Sequence, residues 1–269
     1  MEFIVKTSNK PVTIMINVRT KAKQKIRIVV ANKYKKDTLY TNRFKTIDGN
    51  GIFYVRMPQS PETALIYVYK EGENPKSKNG FEVVDKKLLP LKSKFTVNEI
   101  QNALVKEFVE FAQGFCENAG VFSAGGSIYA SDGGNFRIDY LDVITKRNDK
   151  TPLNTPARIS KVTGIIELAK QRFKCYTVPM RMAILLHEFS HYYLNNKQDD
   201  EEEADYNALL IYLGLGYPRI EAERVFLKVF YKTPSDGNVE RYNKINNMIN
   251  NFERVGMKIN KNYYYENEV

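Results

Sequence analysis

The chain has 269 residues, of which 43% are hydrophobic and 12% aromatic, and its formal net charge is +10. This composition excludes an intrinsically disordered chain and is sufficient for one large domain or two modest ones. With two cysteines and two histidines, the sequence also excludes disulfide scaffolds and zinc clusters built from thiolates. Cys116 and Cys175 are expected to be reduced, buried thiols.

No apolar run approaches the roughly 18–20 residues that a membrane-spanning helix needs. The N-terminal segment lacks the long apolar core of a signal peptide. We therefore expect no membrane span and cytoplasmic synthesis without a signal peptide. Incorporation into a phage particle is compatible with this expectation.

The charge is concentrated in the N-terminal third of the chain. Residues 1–95 contain 20 Lys and Arg against 8 Asp and Glu, a net charge of +12, whereas residues 96–269 contain 21 against 23, a net charge of −2. This asymmetry predicts two domains with different roles. The first is a basic docking domain over 1–95, and the second covers 96–269.

Residues 1–95 show the two-residue period of β-strands. Apolar and polar residues alternate in four runs: Val12 to Val18, Ile26 to Val30, Ile52 to Met57 and Ala64 to Tyr69. Turn sequences lie at 48–51 and 58–61. Six or seven short strands at this spacing predict an antiparallel β-sandwich.

Six lysines of this domain cluster near the predicted strand ends: Lys21, Lys23, Lys25, Lys33, Lys35 and Lys36. They are interpreted either as charges that keep the sheet edges soluble or as a docking surface for an acidic partner. Such a partner is a nucleic acid, an acidic protein face or an anionic lipid. No interleaved aromatic motif favours the nucleic acid over the others.

The second domain is expected to begin with a helix. Thr96 and Glu99 have the spacing of a capping box, and Phe95 and Ile100 could form a hydrophobic staple. The helical period then continues to about Phe115. Further elements are expected in this order: a glycine turn at 125–126, a strand over 127–130, a turn at 133–134, a strand over 135–144, and a short helix or strand over 163–176.

From Pro179 onward the pattern is helical. Four helices are expected: 180–194, 200 to 214 or 216, 218–231, and a last one whose apolar face is Val239, Tyr242, Ile245, Ile249 and Phe252. Together with the preceding strands, these helices predict an α+β fold. It consists of the N-terminal antiparallel β-sandwich and a mostly helical second domain with a small mixed sheet.

The two histidines stand four residues apart in the motif His187-Glu188-Phe189-Ser190-His191. The flanking residues are largely apolar, which predicts a buried helix. Positions i and i+4 share one helix face, so both imidazoles can reach one metal ion. Glu188 lies about 100° round the helix, where a general base is needed. The alternative is a pair of packed histidines that binds no metal.

A hydrolytic zinc site needs a third protein ligand and one open coordination position. No further histidine is present and neither cysteine has a suitable context, so this ligand is expected to be a carboxylate. The acidic run 199–205 follows the motif and supplies candidates. Its residues also suit the first turn of a helix, where the helix dipole favours negative charge.

The HExxH motif followed by Glu-x-x-x-Asp over 201–205 resembles the gluzincin metallopeptidases, the zincins with a glutamate ligand. The resemblance covers roughly residues 96–255 and has no counterpart for the β-sandwich. It implies one zinc ion per chain, with His187, His191 and Glu201 as ligands. Asp205 would orient the first histidine from the side away from the metal. Glu202 and Glu203 remain the alternatives for the third ligand.

The same resemblance implies peptide-bond hydrolysis by a zinc-bound water that Glu188 activates. Gluzincins usually add a histidine or tyrosine that stabilises the oxyanion, and because no histidine remains, a tyrosine or arginine is expected here. The candidates are Tyr206, Tyr212, Tyr217, Arg219, Arg241 and Tyr242. A strand within 135–144 or 163–176 is expected to form the rim that pairs with an extended substrate.

Three hypotheses of function follow from these patterns. The first is a zinc endopeptidase that acts on a peptide or protein substrate and is docked by its basic domain. The second is a structural component of a larger assembly, such as a phage virion or secretion complex, whose zincin domain has secondary or dormant activity. Protein partners would then hold the tail-like segment 257–269. The third, a nucleic-acid binder, has no recognised motif beyond the charge.

Overall fold

A computed structural model describes residues 1–76, 80–119, 127–230 and 236–255 of a mixed α+β chain. The chain divides into two compact units. The first is Met1–Lys92 with Thr177–Pro179 and Gly216–Pro218, and the second is Ser93–Tyr176, Met180–Leu215 and Arg219–Val269. The glycine turn expected at 125–126 and the tail expected over 257–269 lie outside the described residues. Among the residues described, no helix is both long and apolar enough to cross a membrane.

The described part of the first unit contains seven strands: β1 (Glu2–Lys6), β2 (Val12–Thr20), β3 (Gln24–Asn32), β4 (Leu39–Ile47), β5 (Asn50–Met57), β6 (Thr63–Lys70) and β7 (Phe81–Pro90). They form a four-stranded sheet in the order β1-β6-β3-β4 and a three-stranded sheet in the order β5-β2-β7. Every pairing in them is antiparallel. The alternation that predicted β2 places Ile14, Ile16 and Val18 in the core, each at most 1% exposed.

Strands β1, β4 and β7 were not among the four runs singled out by the sequence pattern, and each contains several exposed residues at a sheet edge. Basic side chains protect the edge strand β5. Arg43 Nη2 donates to the carbonyl of Tyr54 at 2.7 Å, and Lys45 Nζ donates to the carbonyl of Ile52 at 3.3 Å. These two cations therefore cover peptide groups that an edge strand would otherwise offer to another chain.

The described part of the second unit contains a small sheet and six helices, the third of which begins in the segment grouped with the first unit. The strands are β8 (Ser127–Ala130), β9 (Arg137–Leu141), β10 (Ala157–Ile159) and β11 (Ile166–Ala169), in the order β10-β11-β9-β8. Only the β9–β11 pair in this sheet is parallel. The helices are α1 (Ala103–Asn118), α2 (Lys170–Phe173), α3 (Val178–Tyr193), α4 (Glu201–Gly214), α5 (Arg219–Phe230) and α6 (Asp236–Val255).

The start of the first helix was predicted wrongly. The capping box is present, since Thr96 N donates to Glu99 Oε2 at 2.7 Å, but it closes only a 3₁₀ turn over Val97–Glu99. The chain is extended again at Ile100. Helix α1 begins after a second cap, where the side chain of Asn102 accepts a hydrogen bond from the backbone of Val105 at 3.1 Å. Two capping sequences follow each other, and the second one starts the long helix.

Two burial predictions also differ from the structure. On α6, Ile245, Ile249 and Phe252 are buried as expected, whereas Val239 is 59% exposed, because it lies off their stripe near the start of the helix. Cys116 is buried on α1, and burial raises the pKa of its thiol. Cys175 is exposed, because it lies in the turn that follows α2 and not in a core-facing helix position.

Candidate metal centre

Helix α3 carries both histidines and is held in place by its apolar side. Leu185, Leu186 and Phe189 are fully buried. The ring of Phe189 stacks on Phe108 of α1, with centroids 4.1 Å apart and planes 11° apart. This packing fixes the rotation of α3 about its axis, so His187 and His191 both face the cavity described below. Their side chains remain 18% and 6% exposed, respectively.

Glu201, in the first turn of α4, completes a group of three ligand atoms. The Nε2 atoms of His187 and His191 lie 3.1 Å apart. Oε2 of Glu201 lies 3.4 Å from Nε2 of His187, and Oε1 of Glu201 lies 3.5 Å from Nε2 of His191. Ligands at about 2.0–2.1 Å from one tetrahedral zinc ion are separated by about 3.3–3.4 Å. The three side chains therefore have the mutual spacing of ligands to one ion.

The other nitrogen of each imidazole, Nδ1, contacts an oxygen atom on the side away from the three converging ligand atoms. Nδ1 of His187 lies 2.9 Å from Oδ1 of Asp205, and this ion-pair contact is the interaction that the described chain provides to both of these buried atoms. Nδ1 of His191 lies 2.8 Å from the backbone carbonyl oxygen of Gln198. An acceptor at Nδ1 places the hydrogen there, so that Nε2 of each ring presents a lone pair to the shared point.

The charges around this point favour a cation. Burial by itself lowers the pKa of His187, but the carboxylates of Asp205 and Glu201 outweigh it and raise this pKa to about 10. Partial burial raises the pKa of Glu201, but the two imidazoles outweigh that effect and hold it well below its usual range. Two lone pairs and a carboxylate converge here, and they are stable together only with a proton or a metal ion between them.

The short connection between α3 and α4 is organised by the glutamate that was an alternative ligand. Glu203 accepts hydrogen bonds from the side chain of Asn196 at 2.8 Å and from the backbone of Asn196 and Lys197 at 3.1 and 3.3 Å. Glu202 instead contacts Lys244 of α6 at 2.7 Å. Among residues 201–203, the structure thus brings Glu201 to the histidines and engages the other two elsewhere.

Glu188 is half-buried beside the three ligand atoms and lines the same cavity. Burial raises the pKa of its carboxyl group, while the two histidines act in the opposite direction. The backbone N–H of Ile159, on strand β10, acts in the same direction as the histidines and lowers this pKa. A carboxylate in this environment, next to a cation site, is suited to accept a proton and to return it.

The cavity at this site has a volume of about 330 Å³ and lies between α3, α4, α5, α6 and strand β10. The cavity is also lined by apolar residues: Pro156, Ala157, Ala183, Ile184, Val225 and Phe226. Two basic residues on the strand side, Arg158 and Lys161, also line it. They form ion pairs with Glu167 and Asp199, respectively.

The strand at the rim of the cavity is β10, which corrects the prediction that it would lie within 135–144 or 163–176. Those runs contain β9 and β11, which have neighbours on both sides, whereas β10 is an edge strand. The neighbouring hydrogen bonds, from Ser160 N to Ile165 O and from Ala169 N to Pro156 O, fix its orientation. By alternation, Ala157 and Ile159 direct their peptide groups away from β11.

The candidate oxyanion residues fall in different places. Arg241 is the one that lines the cavity. Tyr206, 38% exposed, lines a smaller neighbouring pocket, and Tyr242 is half-buried on α6 outside the cavity wall. Tyr212 and Tyr217 are buried at 0% and 1% exposure, which corrects their candidacy because packed rings cannot reach a substrate. Arg219, the first residue of α5, does not line the cavity either.

Sequence reasoning missed two features of the site. The carbonyl of Gln198 leaves no sequence signal, because any residue supplies a backbone oxygen. Strand β10 has three residues with Arg158 in the middle, which is too short for a two-residue period to be recognised. Comparisons of the chain with protein-family models, curated proteins and solved structures find no match.

Proposed function

We propose that the second unit is a zinc-dependent endopeptidase of the gluzincin type. Its ligands are His187, His191 and Glu201, and its general base is Glu188. The observation that carries this proposal is the convergence of three side chains: the two Nε2 atoms lie 3.1 Å apart, and Glu201 approaches that of His187 with Oε2 at 3.4 Å and that of His191 with Oε1 at 3.5 Å. Two imidazoles and one carboxylate form one of the ligand sets of catalytic zinc sites, which keep a further position for water or substrate.

A zinc ion in this group would lower the pKa of a bound water toward about 7 and polarise the substrate carbonyl. Glu188 would accept the proton of the attacking water and later deliver it to the leaving amine. The N–H of Ile159 supports this role, because it favours the charged form of the carboxylate. Asp205 and the carbonyl of Gln198 support it by fixing both imidazoles in one tautomer.

An extended peptide would bind along β10, antiparallel or parallel to it, because this edge strand directs peptide groups toward the cavity. The adjacent apolar wall favours a substrate with an apolar side chain next to the scissile bond. Ala183 and Ile184 from α3 and Val225 and Phe226 from α5 form this wall, and all four are less than 8% exposed.

Metal content tests the proposal directly. The purified wild-type chain, saturated with zinc and desalted, is expected to retain about one equivalent per chain by elemental analysis. His187→Ala removes one of three ligands and is expected to lose it, whereas Glu203→Gln, which alters only the loop, is expected to retain it. A folded wild type that does not retain zinc would contradict the proposal. Zinc retention without any peptide hydrolysis would favour the assembly-component hypothesis instead.

We also propose that the first unit is a β-sandwich that docks the enzyme to an acidic partner. Its two antiparallel sheets, each with a buried apolar face, support the sandwich, and the net charge of +12 over residues 1–95 supports the acidic partner. Binding of the full chain to heparin and to anionic vesicles is expected to weaken between low and physiological salt, because counterion release drives such contacts. Salt-independent binding would contradict this.

A further inference from the structure

Arg241 joins helix α6 to both acidic residues of the metal centre. Its guanidinium contacts Oδ2 of Asp205 twice, through Nε at 3.0 Å and Nη2 at 2.7 Å. The same Nη2 lies 3.1 Å from Oε2 of Glu201. Because Oδ1 of Asp205 contacts His187, the arginine touches one ligand directly and reaches another through one carboxylate.

The position of Arg241 is set by the core-facing stripe of α6. Ile245 and Ile249 follow it at four-residue intervals and are 3% and 0% exposed. Residues spaced by four lie on one helix face, so Arg241 continues the apolar stripe that packs α6 against its neighbours. Its side chain is 17% exposed. Burying a charged side chain in this position costs free energy unless oppositely charged partners contact it in a fixed geometry. Asp205 and Glu201 are those partners.

The arginine changes what each acidic residue can do. The side chain of Asp205 is only 4% exposed, and a carboxylate buried to this extent is unfavourable without a cationic partner. With Arg241 on Oδ2, the other oxygen remains an acceptor for Nδ1–H of His187, which keeps Nε2 free for a metal. Glu201 is 49% exposed and would otherwise sample several rotamers, so the contact to Oε2 holds its carboxylate toward the histidines.

We propose that Arg241 is a positioning residue that pre-organises the metal centre, so that helix α6 controls metal affinity. This inference rests on the proposed function, since it assumes that the three ligands bind zinc. The arginine does not need to touch substrate to have this effect. Residues that orient metal ligands typically change metal affinity by about 10–100-fold when they are removed, and we expect a loss in that range.

The test measures zinc affinity of the metal-free full chain by competition with a chromophoric chelator, without any substrate. Arg241→Gln is expected to weaken zinc binding about 10–100-fold. Arg241→Lys keeps the charge but cannot make the forked contact, so it is expected to restore part of the affinity. The matched control is Lys244→Gln, which breaks the contacts from α6 to Glu202 at 2.7 and 2.9 Å but touches no ligand.

Each outcome decides a specific point. Wild-type affinity in a folded Arg241→Gln variant, or an equal loss in Lys244→Gln, would overturn the inference. If Arg241→Gln does not fold, Arg241→Lys decides, because unchanged affinity there would also overturn it. A wild type that binds no zinc would contradict the proposed function rather than the role of Arg241. A second readout is nitrogen NMR of the zinc-bound wild type, in which Nδ1 of His187 is expected to carry a proton. A weaker signal from this proton in Arg241→Gln would support an effect of Arg241 on His187 through Asp205.

Discussion

Replacing Glu188 by glutamine is expected to reduce peptide hydrolysis by roughly 10²–10⁴-fold while zinc remains bound. The substitution keeps the volume of the side chain and an oxygen that can accept a hydrogen bond. It removes the basic carboxylate that would take the proton of the attacking water. Because Glu188 is not one of the three proposed ligands, the group of His187, His191 and Glu201 that could hold the metal is left intact.

A proteome-derived peptide library is the substrate for this measurement, because the preferred sequence is unknown. Wild type and Glu188→Gln are compared at equal zinc content, with Glu202→Gln as the control that alters an acidic residue paired with Lys244. The bonds cut only by wild type and the control should have an apolar residue on one side, matching the apolar wall. Identical product profiles for wild type and Glu188→Gln would exclude the catalytic role, and cleavage without apolar preference would exclude only the substrate class.

The parts of the site that lie on regular helices could be predicted from the sequence. A four-residue interval puts His187 and His191 on one face of α3, and the same interval puts Glu201 and Asp205 on one face of α4. What the intervals do not specify is how the two helices meet. That depends on the connection between them, where Glu203 binds the loop backbone and allows a short return.

The long-range contacts of the site could not be predicted, because they depend on pairings that local periodicity does not contain. Arg241 was one of six oxyanion candidates, yet it is separated from Asp205 by 36 residues and meets it only because α6 packs beside α4. The edge position of β10 similarly follows from its pairing with β11, which the three-residue strand does not reveal. In the first unit, alternation was sufficient for the inner strands β2, β3 and β6 and for the edge strand β5, and it failed at the other edges β1, β4 and β7.

The contacts of Arg181 in the core could not be predicted from local periodicity either. Replacing this residue has the largest expected effect on stability. The sequence places it in the apolar flank of the HExxH motif, where a charged residue would be expected at the surface. The structure buries it completely, at 0% exposure. Its Nη1 donates to the carbonyl of Cys116 at 2.7 Å, its Nη2 to that of Lys174 at 2.7 Å, and its Nε to that of Phe173 at 3.2 Å.

These three carbonyls lie at the C-terminal ends of α1 and α2, where helix carbonyls have no partner within the helix. The guanidinium satisfies them and interacts favourably with the negative ends of both helices. Arg181→Met keeps most of the side-chain volume but removes the donor from all three carbonyls, of which that of Cys116 is buried. A hydrogen bond to a charged group contributes about 1.5–3 kcal/mol, and we expect a decrease of at least that size in the free energy of unfolding.

Urea unfolding at equilibrium measures this decrease, monitored by circular dichroism. Arg181→Lys retains the charge but reaches fewer carbonyls, so its stability should lie between those of wild type and Arg181→Met. Arg137→Met is the matched control: Arg137 contacts Asp139 at 2.7 Å on the surface, and its loss should change stability little. Equal effects of Arg181→Met and Arg137→Met would show that the buried arginine does not hold the ends of α1 and α2 against α3.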